Sequence, residues 1–90
     1  MNKHPSAQKR HRQSLKRHTR NQAVRSRVRT FVKRVRESVE ARNLSDVSAH
    51  LQSAVRAIDK AVTKGVLHRN TAARKISRLT RAVRKLTASA

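Results

Sequence analysis

Residues 24–39 read Val24-Arg25-Ser26-Arg27-Val28-Arg29-Thr30-Phe31-Val32-Lys33-Arg34-Val35-Arg36-Glu37-Ser38-Val39, and this stretch decides the fold. Val24, Val28, Phe31, Val35 and Val39 are spaced 4-3-4-4, with Val32 alongside, which is the period of one helix face. Val47, Leu51, Ala54/Val55, Ile58 and Val62 repeat the rhythm, and Ala72, Ile76, Leu79, Val83 and Leu86 give a third stripe. Between the first two, Asn43-Leu44-Ser45-Asp46 reads as a helix stop followed by an N-cap at Ser45, with Asp46 favourable to the new helix dipole. Between the last two, Gly65 suits a left-handed C′ position and Val66 the apolar contact back to Ala61, with Asn70 as the N-cap of the third helix. Each apolar segment is about 18 residues, or roughly 27 Å long. Matched lengths joined by short loops predict an all-α, three-helix antiparallel bundle.

Upstream of Val24 the pattern changes. On the same helical wheel, Arg10, Gln13, Arg17 and Asn21 occupy the stripe that the valines hold further on, and Leu15 points to the opposite side. This segment has no face to bury, so it is either disordered or a helix stabilised from outside. If helical and continuous, the first helix runs from about Ser6 to Arg42, roughly 55 Å. The expected organisation is a single domain over residues 1–90, with 1–22 as a long, protruding basic arm and 23–90 as the bundle.

Charge identifies the class of partner. The 90 residues hold 24 Lys and Arg against 4 Asp and Glu, a net +20 that needs a polyanion to neutralise it. Residues 1–36 carry +13, residues 37–64 are neutral and residues 65–90 carry +7, so every carboxylate lies in the middle third. One surface is therefore expected to face a polyanion and another to face away. No apolar run is long enough for a membrane span or a signal-peptide core, and a mature cytoplasmic protein is the expectation. Without cysteine there is no disulfide framework, thiolate metal site or nucleophilic thiol.

A catalytic constellation cannot be assembled from these residues. Glu37 and Glu40 follow Lys33 and Arg36 by four positions, the spacing of surface helix pairs. His4, His11 and His18 recur every seven residues, about 10.5 Å apart along a helix, too far to share a metal. Asp46 and His50 are read as an exposed helix pair. Gly65 is the sole glycine, so no phosphate-cradling loop exists. Neither a metal, a cofactor nor a small-molecule substrate is expected, and enzyme activity is not.

The bases instead form surfaces. Arg74, Arg78, Arg81 and Lys85 lie within roughly 60° of one another, opposite the third apolar stripe, with no acid among them. Lys3, Lys9, Arg10, Arg12, Lys16, Arg17 and Arg20 read as distributed around the arm, a surface suited to insertion between phosphate backbones. Gln13, Ser14, Thr19, Asn21 and Gln22 add polar groups for phosphate, sugar or base edges. With one Phe and no Tyr or Trp, a single-strand stacking platform is disfavoured. Composition places structured RNA ahead of DNA, with a nucleoid-type DNA-compacting protein next and a membrane-active helix third, because the arm lacks an apolar face.

Specific residues then carry a resemblance. Ser6-Ala7-Gln8-Lys9-Arg10, Gln13, Asn21 and Arg29-Thr30-Phe31-Val32-Lys33-Arg34 resemble the N-terminal half of the bacterial small-ribosomal-subunit protein twenty family. Ile58-Asp59-Lys60-Ala61 and the run Lys64-Gly65-Val66-Leu67-His68-Arg69-Asn70-Thr71-Ala72-Ala73-Arg74-Lys75-Ile76-Ser77-Arg78-Leu79 carry the family's most specific signature. The chain departs from the family at Gln8, where a base is commoner, and at Pro5. The resemblance implies a bundle with an extended first helix that binds 16S ribosomal RNA directly, at its 5′ domain and its 3′ penultimate stem, beside other 30S components. The expected role is charge neutralisation between RNA segments during 30S assembly. Lys9, Arg10, Arg12, Lys16, Arg17, Arg20, Arg25 and Arg29 are the expected phosphate contacts, and Gln13, Asn21, His68 and Asn70 the polar recognition candidates. Ser6, Lys33, Arg74, Arg78 and Arg81 complete the RNA-binding set.

Overall fold

A computed structural model describes residues 5–89, so Lys3 and His4 lie outside the described residues. Three helices follow in order: α1 (Pro5–Glu40), α2 (Val47–Thr63) and α3 (Arg69–Ala88). Among the described residues there is no strand, and the molecule measures 68 × 22 × 16 Å. That length comes from α1, whose 36 residues span about 54 Å.

The core lies where the three apolar stripes meet, around Val24, Val28, Val35, Val47, Ile58, Leu79, Val83 and Leu86. On α2 the seam is turned from the expected one. Ala54, Ala57, Ile58 and Ala61 are buried, whereas Leu51, Val55 and Val62 are half-buried at its edge. Alanine supplies no bulk, so α2 settles its small-residue face closely against α1 and leaves its larger side chains toward the less intimate contact with α3. On α3 the expected face is inward, with Ile76 half-buried.

Both turns are Schellman motifs, with different residues at the critical position. After α2, the Val66 amide donates to the Ala61 carbonyl at 2.8 Å and the Gly65 amide to Val62 at 2.9 Å. Gly65 sits at φ +74 in the left-handed region, and Val66 is buried against the core as expected. After α1, Asn43 donates to Ser38 at 2.9 Å and Arg42 to Val39 at 3.1 Å, so the left-handed residue is Arg42, at φ +53. The helix thus stops at Glu40, two residues short of the expected Arg42, and Asn43 acts just beyond the stop.

The expected caps are displaced in both cases. The N-cap position of α2 is Asp46 rather than Ser45, and its side chain caps no amide. Asn43 organises that turn, accepting from Ser45 Oγ at 2.8 Å and from the Asp46 amide, and donating to the Asp46 carboxylate at 3.0 Å. The N-cap of α3 is His68 rather than Asn70: its extended backbone starts the helix and its Nδ1 accepts the Asn70 amide at 3.1 Å.

Candidate nucleic-acid interface

Continuity of α1 fixes how its two halves face. Residues Ser6 to Arg20 are all exposed and burial begins at Asn21 and Val24, so the first four turns overhang the packed helices. At 100° per residue, Arg10, Gln13 and Arg17 continue the stripe that further on meets α2 and α3. The six described cations of the overhang, Lys9, Arg10, Arg12, Lys16, Arg17 and Arg20, fall in one arc of about 160°. Among the described residues they are therefore not distributed around the helix, as the composition suggested; the rest of the overhang's described circumference carries no cation.

A corner results. Its first wall is the overhang, with Ser6, Arg10, Gln13, Arg17 and Arg20 turned to the side where the packed helices end. Its second wall is the α2–α3 turn, which the return of α2 brings level with the first buried turns of α1, where Arg27 borders one cleft with Lys60, Thr63 and Lys64. That turn presents Lys64, His68 and Arg69, all exposed. Asn21 lies at the inner angle, half-buried, its Oδ1 shut from solvent without a hydrogen-bond partner. Lys64 and Arg69 were not singled out by the sequence reading. The signal for them was present in Gly65, which folds the turn back toward α1.

The remaining candidates lie on two other surfaces. Arg25, Arg29 and Lys33 run along the outward side of α1, where Arg29, Lys33 and Arg36 border a cleft over Val28 and Val32 together with Lys75 of α3. Lys75 is a further cation the sequence reading passed over. Lys33 also reaches Glu37 at 3.9 Å, an exposed pair that leaves its ammonium accessible. Arg74, Arg78 and Arg81 share the outer face of α3 with Ala73 and Ser77. The corner, the outward stripe and the α3 face are distinct surfaces; neither the overhang nor α3 carries an acid, whereas Asp59 of α2 borders the clefts that Lys64 and Arg69 line.

Two polar candidates are partly committed already. The His68 ring uses Nδ1 as the cap acceptor, which leaves Nε2–H as its free donor toward the corner. The Asn70 backbone amide is taken by that cap, and its exposed side chain stays available. Thr19 donates its hydroxyl to the Leu15 carbonyl at 3.0 Å, so it can meet a ligand only as an acceptor. Among the described residues no three His, Asp or Glu side chains converge as metal ligands, and no helix is long and apolar enough to cross a membrane.

Comparison with known proteins finds relatives along nearly the whole chain. Residues 2–84 match the family described as ribosomal protein S20. Small ribosomal subunit protein bS20 of Maridesulfovibrio salexigens is 50% identical over 86 residues, covering 96% of this chain and 99% of that protein. The bS20 of Geobacter metallireducens is 48% identical over 83 residues, covering 92% and 95%. That of Anaeromyxobacter dehalogenans is 49% identical over 85 residues, covering 94% and 92%. The overhanging first helix, the Gly65 turn and the cationic surfaces are thus those of a chain that belongs to the ribosomal protein S20 family.

Proposed function

We propose that this chain is a structural constituent of the small ribosomal subunit, cytoplasmic and ribosome-bound, that binds 16S ribosomal RNA directly and neutralises phosphate repulsion between RNA segments as the 30S particle assembles. Its role is structural, not catalytic. The observation that carries the reading is the corner: a cationic arc of α1 with no carboxylate on it, and a cationic turn facing the same open space, where Lys64 and Arg69 outnumber the neighbouring Asp59. A phosphate backbone entering it meets Arg10, Arg17 and Arg20 on one side and Lys64 and Arg69 on the other. A second RNA segment can lie on Arg25, Arg29 and Lys33, or on Arg74, Arg78 and Arg81, without crowding the first. Residues 1–22 act as the RNA-binding arm and 23–90 as the bundle that aims it. The RNA surfaces expected from the family resemblance are the 5′ domain and the 3′ penultimate stem.

The test is titration of the full chain against 16S fragments containing each region, and against duplex DNA of equal length, at several salt concentrations. Tighter binding to the 16S fragments is expected. Joint substitution of Arg10, Arg17 and Arg20 by Ala should flatten the slope of log K against log salt by roughly 2 to 3. Equal affinity for DNA and RNA would instead favour a DNA-compacting role, and an unchanged slope would remove the corner from the interface.

A further inference from the structure

The side of the overhang turned away from the corner has a chemistry of its own. Gln8, His11, Leu15, His18 and Gln22 fall within about 80° of one another on the α1 wheel, forming a stripe about 21 Å long. All five are exposed, and Leu15, at 53%, is one of two large apolar residues left in the open among the described residues; the other, Leu44, is in the α1–α2 turn. No Lys or Arg interrupts the stripe, in a chain where 24 of 90 residues are basic. Further along α1 the same side becomes cationic again with Arg25, Arg29, Lys33 and Arg36.

We propose that this stripe is the base-reading face of the protein: it lies against base edges and 2′-hydroxyls in an RNA minor groove, while the cationic arc holds phosphates. This rests on the RNA-binding reading above and assigns where its discrimination comes from. Phosphate contacts fix position and carry no sequence information, whereas base edges do. The side chains fit that division. A glutamine amide and a neutral imidazole each offer both a donor and an acceptor, which base edges and 2′-hydroxyls need and which Lys and Arg, donors only, cannot supply. Leu15, midway between His11 and His18, supplies an apolar contact that water does not reward. On one flank stand Arg12 and Lys16, positioned for the phosphates bordering the groove. On the other are Ala7 and Ser14, small enough for close approach. The wide, shallow minor groove of A-form RNA admits such a ridge. These neighbouring cations also favour RNA over a protein surface as the occupant.

The experiment compares wild type with the triple substitution His11→Ala, Leu15→Ala and His18→Ala in the full chain. All three side chains are exposed, so the packed core is untouched, and circular dichroism checks that helix content is kept. Each protein is titrated with the 16S fragment and with a scrambled RNA of the same length and composition. The expected result is an affinity for the 16S fragment lowered about tenfold or more, a change of less than about twofold on scrambled RNA, and the same salt slope on both. A variant that keeps its full preference for the 16S fragment, or loses affinity equally on both RNAs, overturns the assignment and leaves the RNA-binding reading standing. A wild-type chain that does not distinguish the two RNAs overturns both.

Discussion

Gly65→Ala isolates the backbone contribution of the turn that forms one wall of the corner. Gly65 holds φ +74, and a Cβ built there meets nothing within 4 Å, so the substitution introduces torsional strain without a steric clash. An L-residue in the left-handed region costs about 1 to 2 kcal/mol. Restricting the unfolded chain returns about 0.4 to 1 kcal/mol. The net expected loss is about 1 kcal/mol, which lowers Tm by roughly 4 to 8 °C for a domain of this size. Gly65→Asn should lose less, because asparagine enters this region more readily than other non-glycine residues. Thermal and urea melts of the full chain, followed by far-UV circular dichroism, measure both variants. A loss above about 3 kcal/mol would mean that the turn is crowded, and no loss in either variant would mean that it does not hold the left-handed geometry.

Arg42 occupies the equivalent position after α1 at φ +53, so Arg42→Gly should leave stability unchanged or raise it by up to about 1 kcal/mol in the same melts, the opposite sign to Gly65→Ala. Ile58 is fully buried, and Ile58→Val should destabilise by about 0.5 to 1.5 kcal/mol without altering the salt slope of RNA binding. Arg56 lies on α2, in the segment whose charges balance; Arg56→Ala should leave affinity nearly unchanged, whereas Arg17→Ala should weaken binding to any RNA and flatten the salt slope by about 1. Hydrogen exchange should find the amides from Lys9 to Arg20 rapid in the free protein, since their helix has no tertiary support, and slowed on the 16S fragment; slow exchange without RNA would contradict this.

Sequence reading reached the architecture because the stripes of α1 and α3 are written in Val, Leu and Phe at unmistakable spacing. It was less accurate on α2, where Ala57 and Ala61 join Ala54 and Ile58 inside and the larger Leu51, Val55 and Val62 stand at the edge. Side-chain bulk marks hydrophobicity, but close approach of two helices favours the smallest residues. The Gly65 turn was legible because glycine advertises a positive φ, and the Arg42 turn was not, because arginine does not. His68 was missed as a cap since an imidazole acceptor is an uncommon substitute for Ser, Asp or Asn. The bases themselves were plain in the composition. Their segregation into an arc becomes evident only once α1 is one unbroken helix from Pro5 to Glu40.

That unbroken helix sets the phase of the molecule. Since the overhang and the core stripe share a single screw, the direction in which Arg10 and Arg17 project is determined by the number of residues separating them from Val24. Inserting one residue near Asn21 would advance the overhang by only about 1.5 Å but swing it through about 100°, aiming uncharged side chains into the corner and arginines elsewhere. Composition, net charge and core would all be preserved in such a chain, and the docking geometry lost. Seven inserted residues, close to two full turns, would restore the aim while lengthening the reach by roughly 10 Å. Length variation in this segment is therefore quantised: the helix can be extended by whole turns and not by single residues.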